Sequence, residues 1–499
     1  MKKILLSLLI GGSFMANAQE TTMSDALRYG VQNLNGTARF RAMGGAFGAI
    51  GGDMSAMNIN PAGSAIFNYN QATISLSSFN KSNNANYFGT SSKTTENSLD
   101  INQLGAVFVF NDKAGKSGWK KFVLGLNYEN ANNFDDFIVS EGVNPYNSMD
   151  SYFLRFANAR PGNIEGAYYG DVDFIDQQAL LGFDSYILDY NSAGDNYYSN
   201  VPTGGNYYHK NTIEAKGYNG KFTANFSGAY EDKLYLGMNM NFHFTDYVRN
   251  SSLYERNSNP ISNTPNNYGI TAARFNNEVY TYGSGFSLNL GAIYKATDNV
   301  RVGLAYETPT WYRLNDELTQ SISTSSTNGT DNFDDYYNPN VVNIYPTYKI
   351  QTPSKLTASG TVLFGKKGLL SVDFISKNYA KTQFKPNNEI IFSSLNTQIK
   401  NELQDNYELR IGGEYKIQKW SVRGGYRYEQ SPYKVDLAFG DLFSYSGGLG
   451  YNFGESKLDI SYTNEHRNRT EALLTSGLND PARIKNYNNN VTLTYVVNF

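Results

Sequence analysis

The sequence contains no cysteine among its 499 residues. Without thiols the chain forms neither a disulfide framework nor the lipid-modified cysteine of a lipoprotein. No run of about 18 apolar residues occurs after the first segment, so no transmembrane helix can be placed there. Charged residues are also few, at 17% of the chain, and the formal net charge is −3. A basic face of the kind that binds nucleic acid is therefore not expected.

The residue types that usually build catalytic and metal sites are scarce as well. The chain has three histidines, and their spacing fits no metal-ligand motif. They are His209, His243 and His466. No G-x-S-x-G element marks a hydrolase nucleophile. The sequence therefore predicts no catalytic residues, no metal site and no cofactor.

The first 18 residues are predicted to be a secretory signal peptide. The chain starts with the basic tripeptide MKK, continues with an apolar segment over residues 4–10, and reaches the motif Ala-Asn-Ala at residues 16–18. This order matches a signal peptide with an A-x-A cleavage site, so the mature chain is expected to begin at Gln19. Without Lys2 and Lys3, 40 basic residues remain against 45 acidic ones, a net charge of −5.

Aromatic residues and glycine are abundant. The chain has 40 Tyr, 30 Phe and 46 Gly, yet its mean hydropathy is −0.49. A β-barrel in a membrane combines an apolar outer face and aromatic girdles with a polar lumen, and these contributions average to a hydrophilic sequence. The composition therefore favours a membrane barrel.

Apolar and polar residues alternate in about fourteen segments from residue 71 onward, as in β-strands. In residues 234–245, Leu, Met and Phe occupy every second position, while mostly Asn, Gly, His and Thr occupy the others. A soluble β-sandwich would show similar alternation. The predicted strands cover residues 71–79, 102–110, 120–129, 217–230, 234–248, 279–296, 300–308, 353–364, 368–379, 406–417, 420–429, 442–453, 457–466 and 487–499.

The lengths of the connections separate these two folds. Connections after even-numbered strands are short, whereas those after odd-numbered strands are long, as in outer-membrane barrels with periplasmic turns and extracellular loops. The sequence therefore predicts an all-β fold, a transmembrane antiparallel barrel of about 14 strands over residues 71–499. The longest loop, residues 130–216, contains two segments with the spacing of short amphipathic helices, residues 151–158 and 174–188. They either pack on the barrel rim or form a groove that collects ligands.

A glycine-rich segment precedes the first predicted strand. Six glycines lie between Gly44 and Gly63, and glycine suits irregular backbone packed closely inside a shell. Apolar residues such as Met43, Phe47 and Ile50 argue against a flexible linker. The segment is therefore predicted to be a plug in the lumen.

Several charged residues are predicted to face that lumen. Arg410 and Glu414 alternate with apolar residues on one strand, and Arg423, Arg427 and Glu429 lie on the next. Cross-strand ion pairs are one interpretation. The other is that Arg410, Arg423 or Arg427 meets an anionic head group, because guanidinium groups match carboxylates.

The signal peptide, the glycine-rich segment and several later motifs together resemble the FadL-type long-chain fatty acid transporters of Gram-negative outer membranes. The glycine-rich segment leads into Asn60-Pro61-Ala62, and the later motifs lie at residues 407–415, 421–432 and 445–453. The resemblance implies a fourteen-stranded barrel closed by an N-terminal hatch. It also implies that hydrophobic ligands pass from an extracellular groove to a lumenal pocket, and then leave sideways near an inward kink in the third strand.

Carried to this chain, the resemblance implies a hatch over residues 19–70 and a lateral opening at Gly125. The hatch or gate residues would be Gly44, Gly45, Phe47, Asn60, Pro61 and Ala62.

The implied function is passive uptake of hydrophobic molecules through the outer membrane, with long-chain fatty acids as the first candidate. Uptake of hemin or aromatic hydrocarbons, and a structural or adhesive barrel, are the alternatives. The expected partners are a hydrophobic small molecule, outer-membrane lipid and lipopolysaccharide, and the barrel assembly machinery during biogenesis. No nucleic acid is expected.

Overall fold

The computed structural model describes residues 22–112, 118–435 and 438–499, and most of them lie in β-strands. The predicted signal peptide lies outside the described residues. The strands are β1 (Gln71–Tyr87), β2 (Thr90–Asn111), β3 (Trp119–Asn133), β4 (Asp136–Asn144), β5 (Leu188–Asn191), β6 (Asn196–Ser199), β7 (Tyr207–Tyr230), β8 (Leu234–Arg256), β9 (Gly269–Lys295), β10 (Val300–Glu307), β11 (Trp311–Thr327), β12 (Asn332–Tyr337), β13 (Asn343–Ile344), β14 (Tyr348–Gln351), β15 (Lys355–Leu363), β16 (Gly368–Asn378), β17 (Gln383–Lys385), β18 (Asp405–Ile417), β19 (Trp420–Glu429), β20 (Phe439–Asn452), β21 (Ser456–Ala472) and β22 (Pro481–Asn498).

In the described residues, five α-helices accompany these strands. They are α1 (Met23–Gly30), α2 (Ala38–Ala42), α3 (Asp150–Ala157), α4 (Phe174–Asp184) and α5 (Ile390–Glu402). Two 3-10 helices, Met54–Asn58 and Pro61–Ile66, lie just before β1. No helix of the described residues has the length and apolar character needed to cross a membrane.

Fourteen antiparallel strands close into a barrel, as the sequence predicted. Closure occurs because β22 pairs with β1 from Gln71 to Asn86. The order around the wall is β1, β2, β3, β7, β8, β9, β10, β15, β16, β18, β19, β20, β21 and β22. Three further strands lengthen the wall beyond short breaks in the chain. β11 extends the line of β10 and pairs with β9, and β4 extends the line of β3 and pairs with β7. β14 extends the line of β15 and pairs with β11.

Alternation along β8 places apolar side chains outside and polar side chains in the lumen. Leu236 and Phe242 are 39% and 46% exposed, whereas Asn239 and Asn241 are buried. The outward apolar positions run from residue 234 to residue 244, about 33 Å of strand at about 3.3 Å per residue. With a tilt of about 40°, this length matches the apolar band of about 25 Å in outer-membrane barrels.

Several strands are longer than the apolar alternation predicted. The residues between the first two predicted strands form a paired hairpin that turns at Phe88 and Gly89, where φ is 45° and 87°. Likewise β7, β8 and β9 extend beyond the apolar band with polar residues on their outer faces. The sequence did not predict these extensions, because strands outside the bilayer need no apolar face.

The helices predicted in the longest loop are present as α3 and α4. They form an apolar cluster with the inner faces of the long strands, including Phe153, Leu180 and Leu181 against Phe275 and Leu318. The interpretation that they pack against the barrel is therefore supported. Helix α5 was not predicted, although its buried residues follow a helical spacing. They are Phe392, Leu395 and Ile399.

The glycine-rich segment lies inside the barrel, as the plug prediction required. Helix α2 contacts β19 to β22, and the 3-10 helix Pro61–Ile66 contacts β7, β8 and β9 across the lumen. Side chains of the segment form their own small core, in which Met43 and Phe47 have no exposed surface. A flexible linker would not be buried in this way.

Glycines in the wall allow the hatch backbone to lie directly against the strands. A Cβ atom added at Gly237 would lie 2.4 Å from the carbonyl carbon of Pro61, and one at Gly291 would lie 2.0 Å from Oδ1 of Asn60. Both distances are far below a van der Waals contact. Similar close approaches occur at Gly303, Gly412, Gly425 and Gly448. The hatch can therefore lie this close to the wall only because these wall residues are glycines, which have no side chain.

We expect Gly291→Val to loosen the hatch, because overpacking a close contact costs about 1–3 kcal/mol. Limited proteolysis of the purified barrel should then cut within residues 22–70, whereas the same residues of the wild type should resist cleavage because they are buried. Gly360→Val is the matched control, because a Cβ at Gly360 meets no atom within 4 Å. If the hatch resisted proteolysis equally in the two variants, the close packing of the hatch against Gly291 would be contradicted.

Candidate functional site

Asn60 joins two parts of the hatch to the wall. Its Oδ1 accepts a hydrogen bond of 3.1 Å from the Ala62 amide and so caps the 3-10 helix that begins at Pro61. Its Nδ2 donates to the carbonyl of Gly48 at 2.7 Å and to that of Ala292 in β9 at 3.0 Å. Pro61 fits the first helical position because its missing N–H is not needed there. The Asn-Pro-Ala element is thus a fastening point of the hatch.

The other predicted hatch residues form the turn after α2. Gly44 and Gly45 have φ of 60° and 73°, a left-handed conformation that favours glycine. The Phe47 ring packs against Phe40 at 5.4 Å between centroids, and the Arg39 guanidinium lies 5.1 Å from its centre. The turn places all three residues against the inner wall, and their role as a gate stays a prediction.

Two buried charged groups also lie in the hatch. Asp53 accepts hydrogen bonds from the Thr37 hydroxyl at 2.8 Å and the Ser55 amide at 2.9 Å, and burial raises the pKa of its carboxyl group. Arg41 has no exposed surface and donates to Oδ1 of Asn35 at 3.1 Å. Burial lowers the pKa of Arg41 to about 10.

The three arginines proposed from the sequence as head-group ligands lie in a network of ion pairs. Arg410 and Arg427 each place Nε 2.6 Å from Oε1 of Glu408. Arg423 lies 2.7 Å from Glu414 and 2.6 Å from Asp459. All three side chains are at least 94% buried. The structure shows the cross-strand ion pairs, and a role in head-group binding stays a prediction.

This network also holds the hatch. Arg39 forms a salt bridge of 2.9 Å with Glu414, and Nη2 of Arg427 donates to the carbonyl of Gln32 at 3.1 Å. Arg39 of the hatch and Arg427 of the wall therefore each connect the hatch to the wall.

Buried apolar side chains enclose helix α1, the first helix of the hatch, and we call this cluster the apolar chamber. Helix α1 fills it with Ala26, Leu27 and Tyr29, and the Tyr29 ring lies 5.1 Å from that of Tyr312. Its walls come from β11, β14, β17 and α5, and from the residues that directly follow β16 and α5. They are Tyr312, Leu314, Tyr348, Ile350, Tyr379, Phe384, Phe392, Leu395, Ile399 and Leu403.

The apolar chamber was not predicted from the sequence. The signal was present in Tyr312 and Leu314 and in Tyr348 and Ile350, where apolar residues occupy lumen-facing positions that are polar on most strands. These positions lie in segments that the sequence assigned to a long loop. Their meeting depends on the closed barrel.

His243 lies in the lumen next to the apolar chamber. Its Nδ1 lies 3.1 Å from the hydroxyl of Tyr312, which also accepts a hydrogen bond of 2.9 Å from Asn219. Its Nε2 lies 3.4 Å from the hydroxyl of Ser287. In the part of the chain that the structure describes, no group of three or more His, Asp or Glu side chains is arranged to hold a metal.

The wall is interrupted between β2 and β3. Gly125, the predicted lateral opening, pairs regularly with Val107 on one side and Asn225 on the other, so its role stays a prediction. The pairing of β2 with β3 ends at Glu129, and β3 shifts register just afterwards. Residues 129–133 are all buried, so the strand turns inward there.

Hatch residues hold the inward turn of β3. The Asn33 amide donates to Oδ1 of Asn132 at 2.9 Å, and Nδ2 of Asn35 donates to the carbonyl of Asn130 at 2.6 Å. On the other side of the interruption, Asp100 of β2 accepts a bond of 3.3 Å from Asn130. Side chains and the hatch therefore replace the missing backbone ladder.

Solved structures share this fold. A FadL homologue from Pseudomonas aeruginosa superposes with a TM-score of 0.57 at 13% identity, over 94% of this chain and 100% of that one. The Pseudomonas putida toluene transporter TodX gives 0.51 at 16% identity, over 94% and 99%. No curated protein is significantly similar in sequence.

The model of the outer membrane protein transport protein family (OMPP1/FadL/TodX) matches residues 190–492, more than half of the chain. That family consists of transport channels for hydrophobic compounds rather than enzymes. The barrel, its lumenal hatch and this match agree, and the chain therefore belongs to the OMPP1/FadL/TodX family of outer-membrane transporters.

Proposed function

We propose that this transporter takes up long-chain fatty acids by passive binding in the apolar chamber, followed by hatch movement and lateral release. The observation that carries the proposal is the apolar chamber itself, a set of buried aromatic and aliphatic side chains in a lumen that is otherwise mostly polar. Each methylene group that leaves water for such a place gains about 0.8 kcal/mol. A long alkyl chain that replaced α1 in the apolar chamber would gain free energy by the same kind of burial.

The interruption between β2 and β3 supports lateral release. Exposed apolar residues of β2 line it on the lipid side: Leu99 is 73% exposed, and Ile101 and Leu104 are each 51% exposed. Cargo that passes between the two strands enters hydrocarbon without crossing water or the polar sugar layer. The bonds from Asn33 and Asn35 to β3 would break when the hatch moves. Transfer down a concentration gradient needs no energy source.

Aromatic hydrocarbons are the second candidate cargo. The apolar chamber contains several rings, and Phe384 and Phe392 stack at 5.8 Å with an angle of 17° between their planes. Ring-lined sites bind aromatic ligands well because aromatic pairs add to the gain from burial. TodX of P. putida, which has the same fold, is a toluene transporter.

Ile350→Arg should reduce uptake of labelled oleate by about tenfold or more, because an unpaired charge in an apolar site costs several kcal/mol. Uptake is measured in cells that lack their own transporter and express this chain, and the gel mobility of the unheated protein confirms that the barrel has folded. Ile344→Arg is the matched control, because Ile344 is 72% exposed outside the apolar chamber. Normal uptake by Ile350→Arg would contradict binding in the apolar chamber.

A disulfide between the hatch and β3 should block release. The chain has no cysteine of its own, so Asn33→Cys with Asn132→Cys gives one defined pair at a place where the two residues already bond. We expect the oxidised variant to bind oleate but not to deliver it into the cell, and reduction to restore uptake.

The matched control for this cross-link is Ser77→Cys with Thr492→Cys. The hydroxyls of these residues lie 2.7 Å apart on paired strands of the continuous wall. This pair should leave uptake unchanged. Full uptake by the oxidised hatch-to-β3 variant would place the exit elsewhere.

A further inference from the structure

Charge is distributed unevenly over the short turns of the barrel. The turn between β15 and β16, residues 364–367, and the turn between β18 and β19, residues 418–419, contain three lysines and no acidic residue. Further around the wall, the turns at residues 231–233 and 296–299 contain three acidic residues and one lysine. The rim that these turns form therefore has a basic side and an acidic side.

Backbone pairing brings the two basic turns together. β16 and β18 are neighbours in the wall, and the Lys416 amide donates to the carbonyl of Lys367 at 2.7 Å. Lys366, Lys367 and Lys419 are exposed, and we call these three lysines the basic rim. Among the described residues, the ion pairs formed by lysine involve other lysines, such as Lys416 at 3.8 Å from Glu414. The charge of the basic rim is therefore not neutralised within these residues.

Aromatic side chains lie next to the basic rim on the outer surface of the barrel. Phe364, Tyr415 and Trp420 are each more than half exposed. Tyr and Trp concentrate at the level of the lipid head groups in membrane proteins. The basic rim therefore lies at the edge of the bilayer, where lysine stems can rest on apolar surface while the ammonium groups reach lipid phosphates.

The orientation of the barrel determines which lipid is present there. Short turns of an outer-membrane barrel face the periplasm, and phospholipid forms the leaflet on that side. Clusters of basic residues beside membrane-spanning segments attract anionic lipid. Zwitterionic phospholipids also have a phosphate group, but their own ammonium group cancels its charge. An anionic phospholipid therefore complements the basic rim better than a zwitterionic one.

We propose that the basic rim binds the head group of an anionic phospholipid in the periplasmic leaflet. The acyl chains of this lipid lie along the outer faces of β16, β18 and β19, where Leu370, Ile417 and Val422 are exposed. The site is on the outside of the barrel, away from the apolar chamber. It is therefore independent of the cargo and of the proposed function.

Trp420 can report on this site, because it directly follows Lys419 and is exposed on the lipid side. The variant Trp119→Phe with Trp311→Phe keeps Trp420 as its single tryptophan. This protein is reconstituted in phosphatidylcholine vesicles that contain brominated phosphatidylglycerol or brominated phosphatidylcholine, and quenching of the fluorescence gives the relative affinity for the two lipids.

We expect Trp420 to report about threefold or higher affinity for phosphatidylglycerol than for phosphatidylcholine at about 0.01 M salt, because each lysine near a membrane surface adds attraction to anionic lipid. The preference should disappear at about 1 M salt, where the Debye length is about 3 Å.

A second reporter on the acidic side of the rim is the matched control. Tyr294→Trp in a background with all three native tryptophans changed to Phe places the fluorophore on the outer face of β9, beside the turns at residues 231–233 and 296–299. The Lys295 amide donates to the carbonyl of Lys233 at 2.8 Å there, as Lys416 does to Lys367 at the basic rim. This reporter should show no preference for phosphatidylglycerol.

The triple variant Lys366→Gln, Lys367→Gln and Lys419→Gln should bring the affinity ratio at Trp420 to about one. Lys233→Gln removes a lysine from the acidic side of the rim and should leave the ratio unchanged. Gel mobility of the unheated proteins checks that each barrel has folded. An unchanged ratio in the folded triple variant would overturn the proposal.

Inorganic phosphate, added at constant ionic strength, distinguishes a lipid site from a site for a soluble anion. It should leave the preference at Trp420 unchanged, and loss of the preference would show that the basic rim binds free phosphate instead. Equal affinity for the two lipids at Trp420 would leave the basic rim to an acidic soluble partner, and an equal preference at both reporters would mean that anionic lipid surrounds the whole barrel. Each of these results would contradict the proposal, and none of them bears on uptake through the apolar chamber.

Discussion

Closure of the hydrogen-bond ladder is the constraint on which the rest of this structure depends. A backbone in hydrocarbon must satisfy its N–H and C=O groups within the protein, so strands can cross a bilayer only as a closed barrel. Here the contact between β1 and β22 removes both edges. Closure in turn creates a lumen of fixed width, and the hatch fits this lumen because glycines on both parts allow the backbones to touch. The interruption between β2 and β3 is tolerated because hatch atoms and side chains bond to the backbone that it leaves unpaired.

The lumen divides into regions of different chemistry. On the side of β16 to β21, arginines, lysines and carboxylates neutralise one another and connect to the hatch. Between β11, β14 and α5 the surface is apolar and is covered by α1. A hydrophobic cargo gains free energy in the second region and little in the first. The position of α1 therefore matters, because the same helix that begins the hatch occupies the space that cargo would need.

Strands, turns and the plug were predictable because each leaves a local signal. The alternation of Leu, Met and Phe with Asn, His and Thr in β8 indicates a strand between lipid and a polar lumen. This signal lies within the strand and does not depend on which strands are its neighbours. The hatch was recognisable from its glycines and its Asn-Pro-Ala element. Helix α5 and the strand extensions were not predicted, because segments that do not face lipid have no apolar outer side to impose a pattern.

Residue patterns along the chain were enough to predict the wall: its fourteen strands, their inward and outward faces, the lumenal plug and, by resemblance, the transporter family. Tertiary structure alone decided which lumenal residues meet. Tyr312, Ile350 and Phe392 are far apart in the chain and converge only when the barrel closes, and Arg467 faces the hatch only because β21 lies opposite residues 31–33. Alternation along a strand fixes the side on which a residue points, whereas its partner across the lumen depends on the order and register of all the strands between them.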